Sequence, residues 1–453
     1  MKTRLLLSAF ILISCVHFSY GQWTTTYLSA ATIRMGGAVA GNKAYFAGGD
    51  IAPGSVWVDS KKVEIYNVET GVWQLDSLSV ARVLTTGVTC GSKVFFAGGT
   101  VNGTSQHFST VDIYNTLTDV WIVRNLSVPR FELSAVSKDS MVLFAGGHNI
   151  TLNTSYDVVD VYNINTDQWS TKNLSIPRGN MGCTKVDDLA FFAGGTNAAL
   201  TSWYNRVDIY NFSTGTWDTA SLSQARGFIG ACTVGNKVLF AGGMTANGVP
   251  SKRVDIYDYT TDTWTIDSLS LARGFANHQV VQVYGKAYFV GGGTFKNGVW
   301  KTDSDTIDIY DPETDVWSVM TMPNRLVTHT VVVVDTAMLI AGGFTYTSPP
   351  IGFPQSRVEI YVDPSVGITS KSEKYDHFKV FPNPNSGNIH FDIGDRAHIS
   401  LLASIFNMQG QMVFSKTLLN DDRELNLQLP VGVYVLRVIA EDKVYSELIT
   451  IQK

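Results

Sequence analysis

Seven arginines recur along most of this chain, one to a segment: Arg34, Arg82, Arg130, Arg178, Arg226, Arg273 and Arg325. A guanidinium is a planar fork of donors that stays charged at physiological pH and grips carboxylates through paired hydrogen bonds. Brought to one place, these groups would suit carboxylate or other anionic ligands. The stretches between them carry aromatic residues, foremost Trp57, Trp203, Tyr204 and Trp300, with His107, Phe108, Tyr156, Phe295, Tyr346 and Phe353 in equivalent places. Rings beside guanidinium groups are the composition of a surface that binds protein or glycan. The competing reading is structural. Each arginine would hydrogen-bond loop carbonyls of its own segment or the next, and some of the rings would fold inward.

Other reactive types point to scaffold. An acid recurs in every segment at Glu64, Asp112, Asp160, Asp208, Asp255, Asp308 and Glu359, which suits a repeated structural role better than a single reaction centre. His278 and His329 follow arginines at similar spacing and read as structural. Cys90, Cys183 and Cys232 lie in apolar runs and read as small buried hydrophobes, with a Cys183–Cys232 pair as the alternative. The sequence contains no metal-ligand spacing, P-loop, G-x-S-x-G or H-E-x-x-H. No catalytic residue, metal or cofactor is therefore assigned.

The elements that must position the arginines are legible as a repeat. Gly-Gly pairs begin at Gly48, Gly98, Gly146, Gly194, Gly242, Gly291 and Gly342 and end runs such as KVFFAGG. A V-D-I-Y or V-E-I-Y run then ends at Tyr66, Tyr114, Tyr162, Tyr210, Tyr257, Tyr310 and Tyr361. Beyond the first six tyrosines stand Trp73, Trp121, Trp169, Trp217, Trp264 and Trp317. Each segment of about 50 residues reads as four short strands, the signature of a propeller blade. Paired glycines let a neighbouring sheet approach, and Tyr and Trp fill the space between sheets.

This ordered set resembles the kelch family. The resemblance implies an all-β, seven-bladed kelch β-propeller over residues 22–362, with the arginines near the axis on the face that also carries the loops joining second and third strands. The seventh segment has Tyr361 but no tryptophan after it, and Trp23 has no tyrosine before it. The strand around Trp23 is therefore expected to complete the last blade and remove a free edge. Six blades with one degenerate unit outside is the alternative.

Residues 1–21 read as a signal peptide: Lys2 and Arg4, then an apolar stretch too short to span a bilayer, then Ser19 and Gly21 before the cleavage point. A lipobox ending at Cys15 is the competing reading. Residues 363–377 form a polar linker. Residues 378–453 alternate like the strands of a small β-sandwich. With Pro382, Asn383, Pro384, Gly387, Asn407, Gly410, the Leu429–Tyr434 stretch and the basic Lys453, they resemble the type A C-terminal sorting domain of the type IX secretion system. That resemblance implies a Bacteroidota source, a secreted or surface-attached product, and the secretion machinery as a partner.

In the same setting, Asp-Ser/Thr sequences at Asp76-Ser77, Asp139-Ser140, Asp218-Thr219, Asp267-Ser268, Asp305-Thr306 and Asp335-Thr336 resemble an O-glycosylation sequon.

Composition sets the limits. The chain is 45% hydrophobic and 16% charged with a net charge of −5, which gives no electrostatic footprint for nucleic acid and no basic run for a membrane surface. No segment beyond the N-terminus approaches a membrane span. The leading expectation is a non-enzymatic, monomeric binding propeller for an unidentified protein, peptide or glycan. The alternatives are a sugar-acid enzyme of the sialate mutarotase kind, which the kelch resemblance admits, and a structural surface or adhesion component. A copper-radical oxidase is a weaker option still, since no copper-ligand set can be picked out.

Overall fold

The computed structural model describes residues 22–51, 57–274, 280–296, 299–348, 351–363, 378–393, 400–407, 412–419, 423–440 and 443–452. The proposed signal peptide with Cys15, nearly all of the linker, His278 and Gly410 lie outside them. Two units are distinct, Trp23–Tyr361 and a C-terminal one. Apart from one 3-10 turn at Ala246–Gly248, the described elements are all strands.

The larger unit is built from seven sheets with the same antiparallel four-strand plan. Blade one runs Gly36–Ala40, Lys43–Ala47, Lys62–Asn67 and Val72–Ser77. Blade two runs Thr86–Cys90, Lys93–Ala97, Thr110–Asn115 and Val120–Asn125, and the next four follow in chain order. Blade seven consists of Thr330–Val334, Ala337–Ala341 and Arg357–Val362, and its fourth strand is Gln22–Tyr27.

The second strands explain the K-V-F-F-A runs. Phe95, Phe96 and Ala97 are all fully buried, because this strand has a neighbouring blade on each face. The third and fourth strands form a hairpin whose register sets Tyr opposite Trp, as at Tyr66↔Trp73 and Tyr114↔Trp121. The paired rings lie 4.8 to 5.1 Å apart in blades one to six. Trp23 lies 5.0 Å from Tyr361, so it stands to blade seven as Trp73 does to blade one. Several tryptophans also stitch blade to blade. The Nε1 of Trp121 donates to Asp76, that of Trp317 to Asp267 and that of Trp73 to Thr26, each at 2.8 Å.

The glycine pairs have a specific neighbour. Gly98 and Gly99 have φ of 64° and 110°, in the region that favours glycine. A Cβ on Gly98 would stand 2.5 Å from the Arg130 carbonyl oxygen of the next blade. The Gly99 N–H donates to that same oxygen at 3.0 Å. The pair is thus the seat on which the next blade's arginine segment rests.

The C-terminal unit has a three-stranded sheet (Phe378–Phe381, Asn388–Ile393, Glu424–Asn426) and a four-stranded one (Met412–Leu419, Ser400–Asn407, Gly432–Ala440, Lys443–Ile451). Ile389, Phe391, Ile405, Leu418, Leu436 and Ile449 share one core between them. The Pro382–Gly387 turn is tied to the last strand. Asn383 donates to the Leu448 carbonyl at 2.6 Å, the Asn385 side chain donates to that of Thr450 at 3.1 Å, and Asn385 Oδ1 accepts the Gly387 N–H at 2.8 Å.

Candidate functional site

The segment entering each first strand pairs with the loop that follows the second strand of its own blade. The bridges Val83↔Thr100, Phe131↔His148, Gly179↔Thr196, Gly227↔Met244 and Val327↔Phe344 repeat this contact. One face of the ring therefore carries both the arginine segments and the long loops.

Five of the seven arginines are nevertheless withdrawn from that face. Arg82, Arg130, Arg178 and Arg226 are 0% exposed and Arg273 is 2% exposed. Each is paired with the acid of its own blade: Arg82 with Asp112 at 2.6 Å, Arg130 with Asp160 at 2.7 Å, Arg178 with Asp208 at 2.7 Å, Arg226 with Asp255 and Arg273 with Asp308. Other donors of each guanidinium go to carbonyls. Arg82 Nε bonds Gly98 O at 2.8 Å and its Nη2 bonds Phe96 O at 3.1 Å. Burial pulls each guanidinium pKa down and the aspartate pushes it back. A buried carbonyl-rich turn needs donors, and a buried cation needs a counter-charge. Each of these arginines supplies the first and receives the second, which corrects the expectation that they face a ligand.

Arg34 and Arg325 are not copies of the other five. In blades one to five of the series Leu28, Leu78, Leu126, Leu174 and Leu222, the residue four further on is Thr32, Arg82, Arg130, Arg178 and Arg226. In the last two blades Leu269 and Met322 are followed at the same spacing by Arg273 and Leu326. The carbonyls of Thr32 and Leu326 accept from Gly343 and Gly292, just as that of Arg130 accepts from Gly99. Arg34 and Arg325 thus fall outside the repeat register. Arg325 is exposed and stands 3.5 Å from Asp305. The two blades without the arginine are those whose acid is glutamate. Glu64 accepts from Ser29 N and Oγ, at 3.1 and 2.5 Å, and Glu359 accepts from Asn324 at 2.6 Å and Thr25 at 2.7 Å. Both glutamates are thus satisfied by neutral donors in place of the guanidinium.

Arg34 instead belongs to a ring that the sequence reading missed. It shares a left-handed backbone with Leu84, Glu132, Asn180, Phe228 and Thr328, all with φ of 53° to 58°. Backbone hydrogen bonds link these residues from blade to blade: Arg34 N to Thr328 O, Leu84 N to Arg34 O, Asn180 N to Glu132 O and Phe228 N to Asn180 O. Their common signal is a position two beyond the repeat arginine or its substitute. It is invisible by residue type because the side chains vary widely from blade to blade.

Two features of this ring carry chemistry. Glu132 is pushed up to about 7 by burial, against the opposing pull of Asn180 and of Arg34. Arg34 lines a cleft of about 370 Å³ with Thr328, Trp57, Asn102, Phe344 and Tyr346. Trp57 is 41% exposed and its ring lies 6.3 Å from Phe344, which lies 5.0 Å from Tyr346. Asp50, fully buried, accepts from Arg34 Nε at 2.6 Å and pairs with its Nη2 at 2.5 Å.

Among the described residues, the other aromatic candidates line no part of this cleft. Trp203 is half-buried near Phe228, with its Nε1 bonded to Leu200 O at 3.1 Å. Tyr204 is half-buried, and its backbone holds Gly195 and Arg226. Trp300 pairs with Phe295 in the strand register, and its side chain lies outside the described residues. Cys90, Cys183 and Cys232 are free thiols, so the alternative Cys183–Cys232 bond is not formed, and burial pushes the latter two up to about 11 and about 12. Among the described residues, no group of three His, Cys, Asp or Glu side chains could hold a metal ion, and no helix is long and apolar enough to cross a membrane.

Residues 225–266 and 274–322 match the Kelch motif, so the larger unit is a kelch β-propeller. Residues 379–452 match the secretion system C-terminal sorting domain, which makes the chain a secreted kelch propeller bearing a type IX sorting tail. No curated protein matches the chain. Among solved structures, that of YjhT aligns at a TM-score of 0.49 and 14% identity, covering 65% of this chain and 99% of that one.

Proposed function

We propose that this protein is a binding propeller that works outside the cell, and that it takes a protein, peptide or glycan at the loop-bearing face of the ring. The observation that carries this reading is the cleft in which Arg34 and Thr328 meet Trp57, Phe344 and Tyr346. It is the place where a ring-position arginine and an exposed tryptophan come together. Clefts with apolar walls and a few convergent polar groups are where small ligands and side-chain anchors bind. The residues most repeated in the chain are occupied in holding the blades, so recognition falls to the unrepeated ones.

The sorting tail accounts for export. On this reading the signal peptide is cut near Gly21, the tail is read and removed at the outer membrane, and the monomeric propeller is released or held at the surface. Ser77, Thr219 and Ser268 are exposed on fourth strands and are the sequons best placed for O-glycosylation.

The test is capture of ligands by the secreted chain, from a glycan array and from culture surfaces, beside its Trp57→Ala variant. Loss of capture with unchanged melting supports the reading. Capture indifferent to Trp57 removes the cleft from it.

One observation favours an enzyme as the second reading. Glu132, held near neutrality on the same ring as Arg34, could carry a proton in a sugar-acid reaction. Anomer exchange of α-sialic acid followed by NMR decides it. Unchanged exchange in the presence of the protein ends that option.

A further inference from the structure

Resting on the ligand-binding reading above, we propose that the cleft over Arg34 receives an uncharged sugar ring and excludes acidic ones. Arg34 is the arginine that lines the cleft, and Asp50 already holds it through Nε and Nη2. The guanidinium charge is thereby already balanced by a buried carboxylate, so an incoming carboxylate meets no uncompensated cation. Asp59, opposite Asp50 in the loop strand pair, adds a second negative charge close enough to push Asp50 further up. Asp50 thus stands between one guanidinium and a second carboxylate, and the local charge balance does not favour a further anion.

The polar group left over calls for a hydroxyl. Thr328 lines the cleft, and its buried Oγ1 has no hydrogen-bond partner. Such atoms cost free energy until they are paired. A sugar hydroxyl can either donate to or accept from the threonine. An apolar peptide side chain would leave that atom unpaired. The walls suit the other side of a sugar, since Trp57, Phe344 and Tyr346 offer ring faces to its C–H edges. Asn102 adds an amide at the rim.

The experiment applies the intact secreted chain at neutral pH to an array of neutral hexose and N-acetylhexosamine oligosaccharides beside sialylated and uronic ones. Neutral glycans are expected to bind, with affinity about tenfold or more weaker in Trp57→Ala and in Tyr346→Ala. Asp50→Asn, checked by its melting, should admit acidic glycans by releasing Arg34. If that variant does not fold, the neutral-over-acidic preference of the native chain and the Tyr346→Ala loss decide the matter. Binding of acidic glycans in preference to neutral ones overturns the proposal. So does a blank array with a protein or basic peptide captured in a Trp57-dependent way, although that result leaves the ligand-binding reading standing. Absence of any Trp57-dependent capture overturns both.

Discussion

Arg82 and Asp112 meet at 2.6 Å inside blade two, both closed to solvent, and the same pair recurs in the four blades that follow. The guanidinium also bonds the carbonyl of Gly98, whose glycine partner seats the next blade. One side chain thus joins the acid of the third strand, the end of the second strand and, through them, the contact between blades.

Removing one member of such a pair should be severe. Arg82→Thr leaves Asp112 buried without its counter-charge and should cost about 3–5 kcal/mol. Blade one shows how the loss can be repaired, since Thr32 and Glu64 occupy the same two positions and Glu64 is satisfied by Ser29. Ser79 already donates its N–H to Asp112. The double variant Arg82→Thr, Asp112→Glu should therefore recover much of the stability in urea unfolding. No recovery would mean that the glutamate solution depends on other features of blade one.

The close seat of the blades makes a second prediction. A Cβ on Gly87 would stand 2.2 Å from the carbonyl oxygen of Gly37 in the adjacent inner strand. Gly87→Ala should cost about 1–3 kcal/mol through overpacking. Ala at Gly103, where a Cβ meets nothing within 4 Å but φ is 69°, should cost less, about 1 kcal/mol. The two melting temperatures separate crowding between blades from backbone strain alone.

Tryptophans at the two kinds of position should behave differently. Trp121→Phe keeps a ring against Tyr114 but loses the 2.8 Å bond to Asp76 in the neighbouring blade, and should lower stability by about 1 kcal/mol. Trp57→Ala, at an exposed loop position, should leave unfolding nearly unchanged while reducing ligand capture. Equal losses of stability would place Trp57 in the scaffold.

Stability should depend on pH through groups pulled in opposite directions. Burial pushes His329 down to about 3 and His148 down to about 4. The unfolded chain then binds more protons than the folded one below an ordinary histidine pKa of about 6.5, so these groups destabilise the fold as pH falls from there toward 4. Glu132 is raised to about 7 and Asp50 to about 6, so the folded chain holds their protons longer, and stability is lost as pH rises through roughly 4 to 7. His329→Asn should flatten the acid limb of a plot of unfolding midpoint against pH. Glu132→Gln should flatten the fall toward neutrality. A variant that shifts the whole curve without changing its slope would contradict the assignment.

The sequence by itself determined the blade. Gly-Gly, Tyr and Trp in fixed order specify a four-stranded unit, because the Gly pair admits the next blade's carbonyl and the Tyr–Trp register follows from the length of one hairpin turn. The unpaired Trp23 and the unpaired Tyr361 also pointed to each other before any coordinates, and their rings lie 5.0 Å apart. What the sequence left ambiguous was the use of each charge. Read by residue type, the seven arginines looked alike. Only the tertiary structure separated the five that turn inward to Asp112 and its counterparts from Arg34, which lies two positions out of register on the left-handed ring. The reason is physical: burial and pairing depend on a register set by Leu28, Leu78 and their equivalents, and on carbonyls supplied by strands far away in the chain. The cleft was decided at that level too, since Arg34, Trp57, Asn102, Thr328 and Phe344 come from blades one, two and seven and meet only because the ring brings its two ends together.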